Sequence, residues 1–223
     1  MEIKMYPSFN EVFTTDKLLG IFYPLCTVDE HLHFVSSNGL WMDEKYAKKN
    51  NTSQCIIFKL KNGKYEFEDD LRRYKGYKYA KKIFPILKKD FKINGNVYLQ
   101  KKLSTNFYIK QIKKSLPFQT KRDIDLEYYL ETFYSFYFNK LIYNLNGEFG
   151  EFNHFIEGSV KPEKSPVVYG VDEMDNIPVE KTIPQDYYPI GMVIGYEFFT
   201  DGNNSNLYFN QKENKILSIN SYD

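Results

Sequence analysis

Lysine side chains alternate with aromatic rings through the middle of this chain, in residues 71–122. The segment holds 16 Lys and Arg residues against one acidic residue, Asp90. Ammonium groups bind phosphates and rings stack on bases, so the combination is typical of proteins that bind single-stranded nucleic acid. The candidate nucleic-acid residues are Lys78, Lys81, Lys82, Lys88 and Lys89. The rings among the basic residues are Tyr74, Tyr77, Tyr79, Phe84, Phe91, Tyr98, Phe107, Tyr108 and Phe118.

The alternative is a lysine face that is solvated or paired inside the protein. Thirteen of the 16 cations are Lys, whereas planar recognition of phosphates and bases favours Arg. The rings also occupy positions that a buried helix face would need. Residues 123–223 carry a net charge of −11, so we interpret the basic segment as a partly internal partner of this acidic half.

Carboxylates in the acidic half form the second candidate surface. Asp172, Glu173 and Asp175 crowd one predicted loop, and Glu197 and Asp201 lie near a predicted strand end. A solvated surface is the simpler interpretation. The functional interpretation is a docking surface for a basic protein, because complementary charge raises the rate of association.

Two histidines and two cysteines are the candidates for a metal site. His31 and His33 lie two apart on a predicted strand, so their side chains point to the same face. With Cys26, Cys55 or His154 they would supply zinc ligands, but the spacing matches no zinc-finger pattern. We therefore predict no metal site, and a metal-dependent hydrolase at His31 and His33 is the third alternative for the function. Neither cysteine has a neighbouring cluster of cations, which favours buried, unreactive thiols.

Catalytic and targeting signals are missing from the sequence. It contains no Gly-x-Ser-x-Gly, no P-loop and no dinucleotide-binding fingerprint, so we expect a non-enzymatic protein without a cofactor. No apolar run reaches membrane-spanning length and the first residues carry no signal-peptide pattern. We expect a cytoplasmic protein that does not contact a membrane.

Hydrophobic alternation predicts strands in the first 70 residues. One hairpin is predicted to pair 31–35 with 40–42 around a turn at 36–39. A second is predicted to pair 55–60 with 65–68, because Asn62-Gly63 tolerates the positive φ angles of a tight turn.

The middle of the chain alternates between helix and strand signals. Pro85 is predicted to break any helix in 71–92, and Asn94-Gly95-Asn96 to precede a strand at 97–99. Ser104 is predicted to cap a helix that ends before Pro117. The clearest helix is 124–145, capped by Asp123 or Asp125 and ended by Asn146-Gly147.

The last third predicts a β-meander with strands at 190–199, 207–210 and 216–219, packed on the helix 124–145. Glycines at 191 and 195 indicate a bulge or a close approach of another backbone segment. A short helix is expected at 149–155, a strand at 166–171 and a loop at 172–188. The order of elements predicts an α+β fold. The chain is expected to divide into two regions: a β-rich region that includes the basic segment, 1–122, and an α+β region, 123–223. The alternative is that both regions form one domain.

Four short motifs in 124–223 resemble the SMI1/KNR4 (SUKH) superfamily. They are the helix end Asn146-Gly147, the strand Tyr188-Pro189-Ile190-Gly191, the turn and strand 201–209, and the strand 214–217. The resemblance implies a non-enzymatic protein-binding module, for example a bacterial immunity protein that neutralises a toxin. No catalytic residues carry over from it. The leading hypothesis is therefore protein binding through the acidic surface, with nucleic-acid binding or nuclease activity through 71–122 as the alternative.

Overall fold

A computed structural model describes residues 3–41, 55–116, 124–147, 156–157, 167–172, 177–182, 186–200 and 204–221. The helices of this part are α1 (Phe9–Val12), α2 (Tyr77–Gln100), α3 (Thr105–Ser115) and α4 (Leu126–Asn146). The strands are β1 (Ile3–Met5), β2 (Tyr23–Val28), β3 (Leu32–Ser36), β4 (Cys55–Lys61), β5 (Lys64–Phe67), β6 (Ile156–Glu157), β7 (Val167–Asp172), β8 (Ile177–Thr182), β9 (Tyr188–Val193), β10 (Asn204–Asn210) and β11 (Lys215–Ser221).

Strands pair antiparallel in three sheets, with orders β1-β2-β3, β5-β4-β11-β10-β9-β6 and β7-β8. The predicted α+β class is confirmed, and so is the C-terminal meander, formed by β9, β10 and β11. In the largest sheet β4 pairs with β11, with Phe58 opposite Ile216. That sheet therefore joins strands from residues 1–122 and 123–223.

The hairpin around Asn62-Gly63 is confirmed as β4 and β5, and both turn residues have positive φ (52° and 74°). The other predicted hairpin is wrong. Strand β3 pairs with the preceding β2, so that Val28 lies opposite Leu32, while Leu40 and Trp41 lie in no strand. The turn that joins β2 to β3 uses positive φ at Asp29 (46°) and Glu30 (63°). Asp tolerates the left-handed region, but Glu is not a typical turn residue.

Helix α2 contradicts three predictions. It continues through Pro85, and it includes both the predicted turn at 94–96 and the predicted strand at 97–99. A proline inside a helix costs about 3 kcal/mol, but Ile83, Phe84 and Leu87 of the same helix are buried in the core. Burying side chains of this size offsets that cost, since each contributes about 1.5–3 kcal/mol.

The two following helices are confirmed. Ser104 occupies the N-cap position of α3 with extended backbone angles, as predicted, but its side chain accepts no capping hydrogen bond. Asp125 caps α4 by accepting a hydrogen bond from the backbone N–H of Tyr128, and Gly147 ends it with φ of 69°. These are the cap and the left-handed terminator that the sequence predicts.

The C-terminal strands differ in their bounds from the predictions. Strand β7 confirms the strand at 166–171, but β8 replaces part of the predicted loop at 172–188. Strand β9 ends at Val193, and Gly195–Glu197 form a 3-10 helix. The predicted bulge is confirmed, because the register with β10 shifts by one residue beside Gly191. The short helix expected at 149–155 lies outside the described residues.

Aromatic rings form much of the core between the helices. Phe133 of α4 contacts Phe84 of α2 at a centroid distance of 5.7 Å, and Tyr134 contacts Tyr108 of α3 at 4.5 Å. Helix α4 meets the C-terminal region at Phe199, which stacks on Phe136.

The meander strands themselves pack against β3. The hydroxyls of Ser205 and Ser218 both donate to the carbonyl of Val35, at 2.9 and 3.1 Å.

Candidate functional site

Six lysines of α2 lie on one side of the helix. Because each residue turns the helix by 100°, their positions fall within an arc of about 120° and along about 21 Å of the axis. We call this set the lysine face. It consists of Lys78, Lys81, Lys82, Lys88, Lys89 and Lys92.

The lysine face points away from the core. Five of its residues are exposed and Lys81 is half-buried. Within the described ranges, none of the six forms an ion pair with a carboxylate. The described ion pair that joins the basic segment to the acidic half connects Lys113 with Glu127. Internal pairing therefore accounts for Lys113 of α3, while the cations of α2 lie without an ion pair to a described carboxylate.

Asp90 is the single acidic residue of the basic segment, and it is engaged by groups of the helical layer. Its carboxylate accepts hydrogen bonds from the hydroxyl of Tyr134 (2.6 Å), the hydroxyl of Tyr98 (3.1 Å) and the amide of Asn94 (2.8 Å). Burial and the charge of Asp90 raise the pKa of Tyr98 to about 12, so this hydroxyl stays a donor at physiological pH. Asp90 thus joins α2 to α4, and it lies on a different side of α2 from the lysine face.

Four of the nine rings of the basic segment are unavailable for stacking on bases, and Tyr77, Tyr79 and Phe91 are half-buried. Tyr74, Phe84, Tyr98 and Tyr108 are all buried in the core. Phe107 is 43% exposed, and Phe118 lies outside the described residues. The prediction of a single-strand stacking platform is therefore wrong for these four buried rings. They serve the apolar packing that the alternative interpretation required.

Further cations extend the basic surface beyond α2. Lys101 and Lys102 are exposed in the turn after α2, and Lys110 and Lys114 are exposed one helical turn apart on α3. Lys92 is not among the candidates predicted from the sequence, although it lies on the same side of α2 as they do. Continuing their helical spacing along the chain would have found it.

His31 and His33 contact the turn between β4 and β5 from the same side. His33 is buried, its Nδ1 lies 2.8 Å from the hydroxyl of Thr27, and its Nε2 lies 2.9 Å from the carbonyl of Gly63. Because a carbonyl only accepts, Nε2 carries the proton and Nδ1 accepts from Thr27. A Cβ on Gly63 would lie 2.9 Å from Nδ1 of His31. The ring of His33 therefore joins the hairpin turn to β3, and the ring of His31 lies against Gly63.

The described side chains contain no group of three His, Cys, Asp or Glu that would hold a metal ion. Cys26 is buried, and burial raises the pKa of its thiol, which suppresses the reactive thiolate. The side chain of Cys55 and all of His154 lie outside what the structure describes. The geometry of His33 is that of a structural histidine.

The buried position of His33 predicts a loss of stability in acid. Burial lowers the pKa of this histidine below its usual value of about 6.5. The unfolded chain therefore binds a proton more readily, and the free energy of unfolding falls as the pH drops below about 6.5. The variant His33→Gln lacks this pH-dependent loss of stability. As the pH is lowered from 7.5 to 5.5, the difference in the free energy of unfolding between wild type and the variant should therefore decrease in urea titrations. A difference that is constant with pH would contradict the assignment.

The structure describes fewer of the acidic candidate residues than of the lysine candidates. Glu197 lies in the 3-10 helix Gly195–Glu197, half-buried, and its backbone carbonyl accepts from the side-chain amide of Asn139 at 3.4 Å. Asp172 is the last residue of β7, described by its backbone alone. Glu173, Asp175 and Asp201 lie outside the described residues. The structure therefore brings together the lysine candidates, and the acidic surface stays a prediction.

Of the helices that the structure describes, none is long and apolar enough to cross a membrane. The chain matches no protein-family model, no curated protein and no solved structure. The resemblance of 124–223 to the SMI1/KNR4 superfamily accordingly stays a prediction that rests on its four short motifs.

Proposed function

We propose that this protein binds duplex nucleic acid through the lysine face, by contacts to phosphates and without reading bases. The observation that carries the proposal is the row of exposed ammonium groups along α2, none of which is paired with a described carboxylate. Duplex DNA carries about one negative charge per 1.7 Å of its axis. A row of about 21 Å therefore lies opposite a dense and regular series of phosphates.

Two features favour a duplex over a single strand. Stacking rings supply much of the affinity for single strands, and among the described rings of this segment four are buried and only Phe107 is exposed. The lysine face also contains no Arg, the residue type most often used to read guanine edges in the major groove. Binding by ammonium groups alone is independent of sequence and strongly dependent on salt.

The supporting platform is rigid, which favours binding of a stiff polyanion. The inner side of α2 packs Ile83, Phe84 and Leu87 into the core, and Asp90 ties the helix to Tyr134 of α4. The ammonium groups therefore need not be assembled into a row by the ligand. Pre-organisation of this kind lowers the entropic cost of binding.

Replacing three lysines tests the proposal. In Lys78→Gln/Lys82→Gln/Lys89→Gln we expect affinity for a labelled 20-base-pair DNA duplex at 0.1 M salt to fall about 10-fold to 100-fold. The slope of log affinity against log salt should decrease by about 0.9 for each phosphate that the variant no longer neutralises. Fluorescence anisotropy over a salt series measures both quantities.

The matched control removes the same charge elsewhere. Lys17, Lys59 and Lys64 are exposed on other elements, so Lys17→Gln/Lys59→Gln/Lys64→Gln should bind nearly as well as wild type. Equal losses of affinity in the two triple variants would overturn the assignment to α2. Absence of duplex binding by wild type at 50 mM salt, or binding of polyglutamate as tight as that of the duplex, would overturn nucleic acid as the ligand.

Protein binding through the acidic half, including the role of an immunity protein that neutralises a toxin, stays a hypothesis from the sequence. Its candidate residues Asp172, Glu173, Asp175 and Asp201 have no described side chains. Recovery of a basic protein partner that loses affinity when Glu197 and Asp201 are replaced by Gln and Asn would support it.

A further inference from the structure

Helix α3 carries an exposed ring on its outer side. Phe107 is 43% exposed, and within the part of the chain that the structure describes no other ring contacts it. The next residue, Tyr108, is buried, with its ring 5.2 Å from that of Tyr98 and 4.5 Å from that of Tyr134. Consecutive helix residues are turned by about 100°, so the packing of Tyr108 directs Phe107 toward solvent. The ring of Phe107 is therefore accessible to a ligand.

Exposed polar and cationic side chains lie beside this ring. They follow Phe107 by three, four and seven residues, so they share its side of α3. We call the set Phe107, Lys110, Gln111 and Lys114 the α3 face. Residues three or four apart on a helix have Cβ atoms about 5–6 Å apart. The ammonium group of Lys110 can therefore reach a phosphate next to a base that stacks on Phe107.

The carboxylates near α3 lie toward a different side of the helix. Glu127 of α4 pairs with Lys113, and Glu131 of α4 acts on Tyr108, whose pKa is raised mainly by burial and in part by that charge. Lys113 and Tyr108 are turned by about 100–120° from Phe107. Helix α3 itself contains no acidic residue, and the two lysines of the α3 face form no ion pair with a described carboxylate. Their charge is available to an anionic ligand.

The α3 face continues the basic surface from the end of α2. The lysines at 101–102 are exposed in the turn between the two helices. Tyr98 lies about 9 Å along the helix axis beyond Lys92, the last lysine of the lysine face, and its ring stacks on that of Tyr108. A DNA strand advances about 3.4 Å per nucleotide. A strand of about six nucleotides is therefore long enough to run from the lysine face to the α3 face.

We propose that the α3 face holds an unpaired base next to a duplex bound on the lysine face, with the base stacked on Phe107 and its phosphate on Lys110. The preferred ligand is then a duplex with a single-stranded extension. Every base has a face that can stack on a ring, so this contact adds a preference for the shape of the ligand and none for its sequence. The inference rests on the proposed function, which supplies the duplex.

Comparison of a blunt 20-base-pair duplex with the same duplex carrying a six-nucleotide extension, at either the 3′ or the 5′ end, tests the inference. By fluorescence anisotropy at 0.1 M salt, we expect wild type to bind at least one extended duplex about 5-fold to 100-fold more tightly, the range for stacking of one base. Additional phosphates also raise affinity, so the decisive quantity is the preference in Phe107→Leu. This variant keeps an apolar side chain without a ring and should lose most of the preference, whereas Phe107→Tyr should keep it.

Tyr196→Leu is the matched control. Tyr196 is a 66% exposed ring in the 3-10 helix Gly195–Glu197, so its replacement should leave the preference unchanged. An equal reduction in Tyr196→Leu and Phe107→Leu would overturn the assignment to the α3 face.

Phe107→Trp gives a direct measure of stacking. The native chain has a single tryptophan, Trp41, so fluorescence beyond that of wild type comes from position 107. The extended duplex should quench this added fluorescence more than the blunt duplex does, because the extension brings a base onto the ring. Equal quenching by the two duplexes would contradict the proposal, and this measurement decides the matter if Phe107→Leu does not fold.

Two further results distinguish failure of this inference from failure of the proposed function. If wild type binds blunt and extended duplexes equally while Lys78→Gln/Lys82→Gln/Lys89→Gln loses affinity, stacking on α3 is refuted and the lysine face stands. If wild type binds neither duplex, or binds the isolated six-nucleotide strand as tightly as the extended duplex, both proposals fail.

Discussion

Phe133→Ala is expected to lower the free energy of unfolding by about 3–5 kcal/mol, because it removes a fully buried ring and leaves a cavity. Phe133 contacts Tyr137 at a centroid distance of 4.5 Å, Tyr134 at 5.3 Å and Phe84 at 5.7 Å. It therefore lies where α2 and α4 meet. Since whole domains are stable by about 5–15 kcal/mol, this loss is a large share of the total.

Phe107→Ala is the control for residue type. Phe107 belongs to α3, but 43% of it is exposed, so its removal should cost about 1 kcal/mol or less. Urea titrations followed by circular dichroism give both values, and an unchanged slope with denaturant confirms that stability alone has changed. Similar losses of stability in the two variants would show that the helical layer is not packed around Phe133.

Gly20→Ala is expected to destabilise the fold by roughly 2–5 kcal/mol, combining backbone strain with overpacking. Gly20 has φ of 78°, where an L-residue is strained. A Cβ at this position would lie 2.7 Å from the Cβ of Phe84 and 3.0 Å from the hydroxyl oxygen of Tyr129. That hydroxyl donates to the carbonyl of Gly20 at 2.8 Å, so relieving the clash would also disturb a buried hydrogen bond.

Comparison of Gly20→Ala with Gly147→Ala isolates the steric part of this effect. Gly147 has nearly the same backbone angle, φ of 69°, but nothing lies within 4 Å of a Cβ built there. We expect a loss of about 1–2 kcal/mol from backbone conformation alone. Thermal and urea unfolding of both variants measure the difference. If Gly147→Ala cost as much as Gly20→Ala, the close approach of Phe84 to Gly20 would be refuted.

Elements that depend on local rules were predicted well. Asn62-Gly63 identified the β4–β5 hairpin because positive φ is a property of the residues themselves. Asp125 and Gly147 identified the two ends of α4 for the same kind of reason, since caps act within one turn of a helix.

Elements that depend on tertiary packing were predicted poorly. Pro85 disfavours a helix locally, but burial of Phe84 and Leu87 against the rest of the core outweighs that preference. The predicted pairing of β3 with residues 40–42 was wrong as well. Pairing with β2 depends on a turn at Asp29 and Glu30, and positive φ is unusual for Glu30.

The charges of the candidate surface were known from the sequence alone: a basic segment with Asp90 as its one acidic residue, and an acidic half after it. Only the tertiary structure decided where those charges point. Helix α2 turns its lysines outward because its apolar side packs on α4, and Asp90 is engaged by Tyr134, a residue 44 positions away. Contacts between residues so distant in the chain depend on how whole elements pack, which local sequence patterns do not encode.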